Sequence, residues 1–163
     1  MNKLSKRINN LSESATLAMS RLSRELKQKG KDVISLSLGE PDFNTPDFIK
    51  NSAVKAINDN FSHYTPVPGI PELRKSICKK FYRDNNLEFN ENQIVVSTGA
   101  KQSIANVCLS LLDKGDEVIL LAPYWVSYFE IVKLCGAKPI VVESKIENNF
   151  KSSVEEIEKK ISN

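Results

Sequence analysis

Residues 94–102 combine the residue types that bind phosphate. An apolar run through Val96 is followed by Ser97-Thr98-Gly99, and a helical pattern begins directly after the glycine. Unpaired backbone N–H groups and the helix dipole attract anions at such a helix start, and the hydroxyls and the Lys101 ammonium add to this. The segment contains neither GxxxxGK[ST] nor GxGxxG. By itself it is therefore equally typical of an ordinary turn between a strand and a helix.

An aromatic pair follows the next apolar run, 117–121. It consists of Tyr124 and Trp125, the latter the only tryptophan of the chain. Because the carboxyl ends of parallel strands meet at one edge of a sheet, we expect this pair to lie near the phosphate segment. A tryptophan there can stack on a flat ring, although a core tryptophan fits the sequence equally well. A phosphate site beside an aromatic platform indicates a phosphorylated aromatic cofactor, and both nucleotides and pyridoxal phosphate meet that description.

The other polar residues offer little support for hydrolytic or metal chemistry. His63 is the only histidine and lies in a proline-rich loop, where a structural contact is the commoner role. Glu40 and Asp42 flank Pro41, a spacing that rarely forms an acid–base pair. The chain has no nucleophile elbow. We therefore expect neither a catalytic triad nor a metal site.

Composition and charge indicate an ordinary soluble α/β protein. The 163 residues are 40% hydrophobic and 26% charged, and no stretch is long enough to cross a bilayer. The odd number of widely spaced cysteines indicates buried free thiols in a reducing compartment, and with no secretory signal we expect a cytoplasmic protein.

Residues 1–31 carry a net charge of +6, which leaves −3 for the rest. This basic arm lacks interleaved aromatic residues, so a solvated face or subunit contact is favoured over nucleic acid.

Helical and strand patterns alternate along most of the chain. They predict helices at 14–29, from Pro46 to about Asn58, from Pro71 through at least Phe81, and at 100–112, 125–135 and 153–161. They predict strands at 33–38, 93–97, 117–121 and 138–142. Such alternation is typical of right-handed βαβ units with a largely parallel sheet. We expect an N-terminal arm with the first strand over residues 1–45 and an α/β domain over residues 46–163.

A series of motifs follows in a fixed order: GEPDF at 39–43, YTP at 64–66, GIPELR at 69–74, STGAKQ at 97–102, GDEV at 115–118 and PYWVSY at 123–128. Together they resemble the N-terminal part of the fold-type I pyridoxal-phosphate (PLP) aminotransferases, specifically the aspartate aminotransferase family of class I. The resemblance implies an incomplete PLP-transferase large domain preceded by a helical arm that contacts the small domain and the partner subunit.

The resemblance also implies roles for particular residues. Gly99-Ala100-Lys101 resembles the cradle of the cofactor phosphate, and Trp125 resembles the residue stacked on the cofactor ring beside the substrate. Gly39 resembles the backbone position that meets the substrate carboxylate. Tyr64 resembles the tyrosine that reaches the cofactor phosphate of the neighbouring subunit, which implies a homodimer.

The implied reaction moves an amino group between an amino acid, with aspartate favoured, and a 2-oxo acid. In the family, the Schiff-base lysine lies beyond the region that corresponds to this sequence, so we expect no catalytic residue here and no activity of the chain alone. Two alternatives remain open: a non-catalytic remnant or module that binds PLP or phosphate, and one half of an enzyme completed by a C-terminal chain. Leu11-Ser12-Glu13 occupies the place where prephenate-accepting members carry a basic residue, which argues against prephenate.

The resemblance has a consequence for stability. The family draws most strands of its large-domain sheet from later in the chain. The strands expected here would therefore leave unpaired edges and an uncovered apolar face. We expect the isolated chain to be poorly stable or prone to aggregation.

Overall fold

The computed structural model describes residues 4–162, which form helices joined to a small parallel sheet. The helices are α1 Lys6–Asn9, α2 Ala15–Gln28, α3 Asp47–Asn58, α4 Pro71–Asn85, α5 Ala100–Leu111, α6 Val126–Leu134 and α7 Val154–Glu158. The strands are β1 Glu117–Leu121 and β2 Lys138–Val142, and single 3₁₀ turns lie at Glu91–Gln93 and Ile146–Asn148.

The centre of the sheet is one βαβ unit. β1 pairs with β2 in parallel, in a register that runs from Glu117 opposite Lys138 to Leu121 opposite Val142. α6 connects the two strands and packs against both, and α5 packs against α6. The buried apolar side chains of this unit come from the strands, α6 and the turn between them, namely Leu120, Ile131, Val132, Ala137 and Val142. The expected α/β class with parallel pairing is therefore confirmed.

Two predicted strands were wrong. Residues 33–38 and 93–97 form no strand and have no ladder partner among the described residues, and Gln93 belongs to the 3₁₀ turn Glu91–Gln93. Ile34 and Leu36 are 86% and 91% exposed, although their pattern is that of a buried strand. A strand is defined by hydrogen bonds to a neighbour, which an apolar pattern cannot supply by itself. Val96 makes one such bond, to the carbonyl of Pro68 at 2.9 Å, and no ladder forms there.

The chain divides into two compact units. The first contains the residues up to Leu38 and those from Gly99 onward, and the second is Gly39–Thr98. In the first unit, α1 packs against α6. In the second, an edge-to-face pair of Phe81 and Phe89, with centroids 5.5 Å apart, supports α4. The division at residue 45 expected from the sequence stays a prediction.

Much apolar surface is uncovered. The accessible area is 13891 Å² for a mass of 18.3 kDa, whereas a folded monomer of this mass exposes about 8,100 Å². Large apolar side chains of α2, α3 and the 33–38 segment are exposed. Stacked or packed partners normally cover such faces, and uncovered ones associate.

We therefore expect the purified chain to self-associate and to melt without a cooperative transition. The two-stranded sheet leaves hydrogen-bonding edges open, and the exposed apolar area favours association. Light scattering after size exclusion, combined with calorimetry, measures both properties. A monomer that unfolds cooperatively would contradict this expectation.

A charged pair joins the first residues of the two strands. Lys138 Nζ donates to Glu117 Oε1 at 2.7 Å, and Ser162 Oγ donates to Oε2 at 2.7 Å. The hydrogen bond from Lys138, followed by that from Ser162, lowers the pKa of Glu117 below its ordinary value. A carboxylate with a lowered pKa in the fold stabilises it above the unfolded-state pKa, and this contribution is lost as the pH falls through the folded-state pKa.

Glu117→Gln should therefore flatten the acid dependence of strand pairing. The variant cannot titrate at this position, so the exchange rates of the β1 amides should change less between neutral and acidic pH than in the wild type. Hydrogen-exchange mass spectrometry at several pH values, corrected for intrinsic exchange, measures this. Glu143→Gln, at an exposed position after β2, is the control and should keep the wild-type slope.

Candidate functional site

The helix start at Gly99 has a backbone conformation that only glycine adopts readily. Gly99 precedes α5 with φ 83° and ψ 161°, a region of φ and ψ that is essentially closed to other residues. Its carbonyl accepts from the N–H groups of Gln102 and Ser103 at 3.1 and 3.3 Å. A Cβ added at Gly99 would meet no atom within 4 Å. The glycine is thus required by its backbone angles and not by crowding.

The first turn of α5 fits an anionic group. The backbone N–H groups of Ala100 and Lys101 lie before the first internal hydrogen bonds of this 12-residue helix. No acceptor for either N–H is found within residues 4–162. Both N–H groups lie at the N-terminal end of α5, which is the positive end of the helix dipole. Together with Gly99 they provide the donors that a phosphate group needs.

The structure brings Lys101 and Trp125 together. Lys101 Nζ lies 5.7 Å from the centroid of the Trp125 ring, a cation–π contact. The two residues are separated by β1 in the sequence, and α5 packs against α6, the helix that Trp125 directly precedes. The start of α5 and Trp125 therefore lie close together within the first unit.

A neighbouring hydroxyl fixes the orientation of the tryptophan ring. Trp125 is the residue just before α6, and its Nε1 donates to Ser127 Oγ at 2.8 Å. Trp125 is 44% exposed, so part of the residue is open to a ligand. Sequence reasoning did not single out Ser127. The signal was available, because a hydroxyl two residues after a tryptophan at a helix start lies within reach of the indole N–H.

A cavity of about 400 Å³ lies beside Lys101 in the first unit. Residues 11–15 of the arm form one side, and Lys101, Tyr124 and the α6 side chains Phe129 and Leu134 are among those that form the other. Ligand cavities of proteins typically measure about 300–1,000 Å³ and are mostly apolar with a few polar groups. This cavity has that character. We refer to it below as the arm cavity.

Gly39 and Tyr64 belong to the second unit. The Tyr64 side chain is fully exposed, in a loop closed by a hydrogen bond from Gly69 N–H to the Pro66 carbonyl at 2.9 Å. A Cβ added at Gly39 would meet nothing within 4 Å, and the residue has no positive φ. The roles expected for these two residues stay predictions.

The cysteines are free but only partly buried. All three are half-buried, where the sequence predicted burial. Burial raises the pKa of the Cys135 thiol, and the nearby Cys108 raises it further.

Within residues 4–162, no cluster of three or more His, Cys, Asp or Glu side chains is placed to hold a metal ion. No described helix has the length and apolar character needed to cross a membrane.

Residues 31–163 match the family described as aminotransferase class I and II. The chain belongs to this aminotransferase family. The resemblance expected from the sequence motifs is confirmed, and the matched region includes the Gly99–Lys101 segment and Trp125.

Individual aminotransferases resemble the chain closely over part of their length. A probable aspartate/prephenate aminotransferase of Rickettsia felis is 50% identical over 161 residues, which are 99% of this chain and 39% of the relative. The aspartate aminotransferase of Bacillus subtilis is 49% identical, over 98% of this chain and 40% of the relative. The structure of the Thermus thermophilus aspartate aminotransferase with maleate superposes with a TM-score of 0.95 at 40% identity, covering 99% of this chain and 42% of that one. The chain thus spans about 40% of the length of these relatives.

Proposed function

We propose that this chain provides the phosphate-binding and ring-stacking part of a PLP-dependent aspartate aminotransferase site. The observation that carries the proposal is the contact of Lys101 with Trp125 next to the open N–H groups at the start of α5. The N–H groups of Gly99, Ala100 and Lys101 would bind and orient the cofactor phosphate. The Trp125 ring, held by Ser127, would lie against the cofactor ring. PLP, when bound, supplies an electron sink for the amino-group transfer.

The second unit would add contacts to substrate and to a second subunit. We assign the Gly39 backbone to the substrate carboxylate. We assign Tyr64 to the cofactor phosphate of a partner subunit in a homodimer, and its full exposure supports this role. The resemblance places the Schiff-base lysine beyond the part of the relatives that this chain matches. We therefore assign no catalytic residue among these 163 residues.

The amino-acid substrate of the enzyme would be aspartate, with a 2-oxo acid as acceptor. Relatives carry the name aspartate aminotransferase, and others are named probable aspartate/prephenate aminotransferases. The arm supports the narrower activity, because Ser12 and Glu13 provide no cation at the arm cavity, and Glu13 is paired with Arg21 at 3.4 Å. The free cysteines support a cytoplasmic location.

Binding of PLP to the chain should be reversible and should depend on the phosphate group. After mixing with PLP and reduction with borohydride, mass spectrometry should find no stoichiometric adduct on a single lysine. Fluorescence of Trp125 should report binding that inorganic phosphate competes away, and pyridoxal without phosphate should bind more weakly. Equal binding of pyridoxal would overturn the assignment of Gly99–Lys101 as the phosphate cradle. A stoichiometric, lysine-specific adduct would overturn the assignment of no catalytic residue.

A further inference from the structure

One hydrogen bond ties the N-terminal arm to α6. The backbone N–H of Ser12 donates to Glu130 Oε2 at 3.1 Å, although the two residues are 118 positions apart. Within residues 4–162, no other acceptor is recorded for this N–H. The short helix α1, directly before this point, packs against α6. The bond therefore fixes the place where the arm leaves α1 and approaches α2.

A second contact, with Lys133, holds the acceptor Glu130 in place independently of the arm. Lys133 Nζ lies 3.4 Å from Glu130 Oε2 and 3.5 Å from Oε1, one turn along α6. The two side chains are only 26% and 28% exposed, and Lys133 also lies over the Phe129 ring, 5.6 Å from its centroid. A carboxylate with restricted rotamers loses less entropy when it accepts a further bond. A charged acceptor also makes a stronger hydrogen bond than a neutral one.

The same bond sets one wall of the arm cavity. Ser12 and Glu130 both line it, with the remainder of residues 11–15 beside Ser12 and the α6 side chains beside Glu130. Tyr124 and Lys101 line the end that is next to the Trp125 contact. A shift of Ser12 away from α6 would therefore widen the cavity and uncover Tyr124.

We propose that Glu130 is the positioning residue that holds residues 11–15 over the arm cavity and thereby sets the space left for a substrate side chain. The identity of that ligand rests on the proposed function, whereas the hydrogen bond itself does not. Glu130 acts through the arm backbone and needs no contact with substrate or cofactor. Its removal should free the arm while the βαβ unit stays folded.

The first test measures amide exchange at Ser12 by NMR at low protein concentration. Glu130→Ala removes the acceptor, and Glu130→Asp keeps the charge but shortens its reach. Both should accelerate Ser12 exchange by about tenfold, the effect of losing one charge-assisted hydrogen bond. Glu130→Gln keeps a side-chain carbonyl and should retain an intermediate rate. Glu143→Ala is the matched control on an exposed glutamate and should leave Ser12 unchanged.

The second test uses nitration of tyrosines by tetranitromethane, mapped by mass spectrometry. Tyr124 lines the arm cavity, whereas Tyr128 is half-buried on α6 outside it and serves as an internal reference. Glu130→Ala should raise the ratio of Tyr124 to Tyr128 nitration several-fold. Global unfolding would raise both and would also accelerate the amides of β1, in which case the Asp and Gln variants decide the question.

A wild-type exchange rate of the Ser12 amide in both Glu130→Ala and Glu130→Asp would overturn the inference. The same Ser12 exchange rate in Glu130→Gln as in Glu130→Ala would also overturn it. An unchanged nitration ratio in a folded Glu130→Ala chain would also overturn it. Neither test contains PLP or substrate. A chain that fails to bind PLP therefore contradicts the proposed function alone. Glu130 variants with unchanged Ser12 exchange and Tyr124 nitration contradict this inference alone.

Discussion

Gly99→Ala should weaken PLP binding by about 10- to 100-fold, because residue 99 must adopt backbone angles that cost alanine about 1–3 kcal/mol. Gly99 has φ 83° and ψ 161°, directly before α5. Alanine relieves the strain by rotating the peptide groups at the helix start. That rotation turns away the N–H groups of Ala100 and Lys101 that we assign to the phosphate. Titration with PLP, followed by fluorescence of the single tryptophan, measures the affinity.

Gly115→Ala separates this effect from a general loss of stability. Gly115 also has a positive φ, 107°, and a Cβ there would also meet nothing within 4 Å. It lies in the turn before β1, where Asp116 N–H donates to the Asp113 carbonyl at 3.2 Å. This variant should lose similar stability and keep the wild-type affinity for PLP. Equal weakening by both substitutions, or none by Gly99→Ala, would contradict the phosphate assignment.

Gly69→Ala should disrupt the second unit, because the added Cβ would lie 2.7 Å from Val96 Cγ2 and 3.0 Å from Val96 Cβ. The φ of 105° at this position adds backbone strain. Crowding in a packed site and a disfavoured φ together cost about 2 kcal/mol or more, which corresponds to about 30-fold in an opening equilibrium. The N–H of Val96, bonded to the Pro68 carbonyl at 2.9 Å, should exchange faster by about that factor.

A control and a second-site variant make this prediction specific. Gly39 lies in the same unit, has no positive φ, and a Cβ added there would meet no atom within 4 Å. Gly39→Ala should therefore leave the exchange rate of the Val96 amide unchanged. Combining Gly69→Ala with Val96→Ala removes the crowded methyl groups and should recover part of the loss, measured as a coupling between the two substitutions. Additive effects would show that the strain at φ, and not the contact with Val96, dominates.

Strand prediction succeeded where the partner strand is close in the sequence. Residues 117–121 and 138–142 form β1 and β2 because a single helix, α6, connects them into one parallel βαβ unit. Residues 33–38 and 93–97 also have apolar patterns but form no ladder with any of the described residues. The helices predicted at 14–29, 100–112 and 125–135 end within a residue of α2, α5 and α6, because caps, turns and side-chain spacing act within a few residues. The short helix α1 was not predicted, and α7 is shorter than the predicted 153–161.

The sequence by itself determined the family, the βαβ unit, and the glycine with its open N–H groups at the start of α5. These features depend on residues that are neighbours in the chain. Only the tertiary structure decided that Lys101 lies over Trp125, that Ser127 holds the indole, and that Glu130 binds the arm at Ser12. The physical reason is that side-chain direction and packing across long sequence separations follow from the fold, since no periodic pattern encodes them.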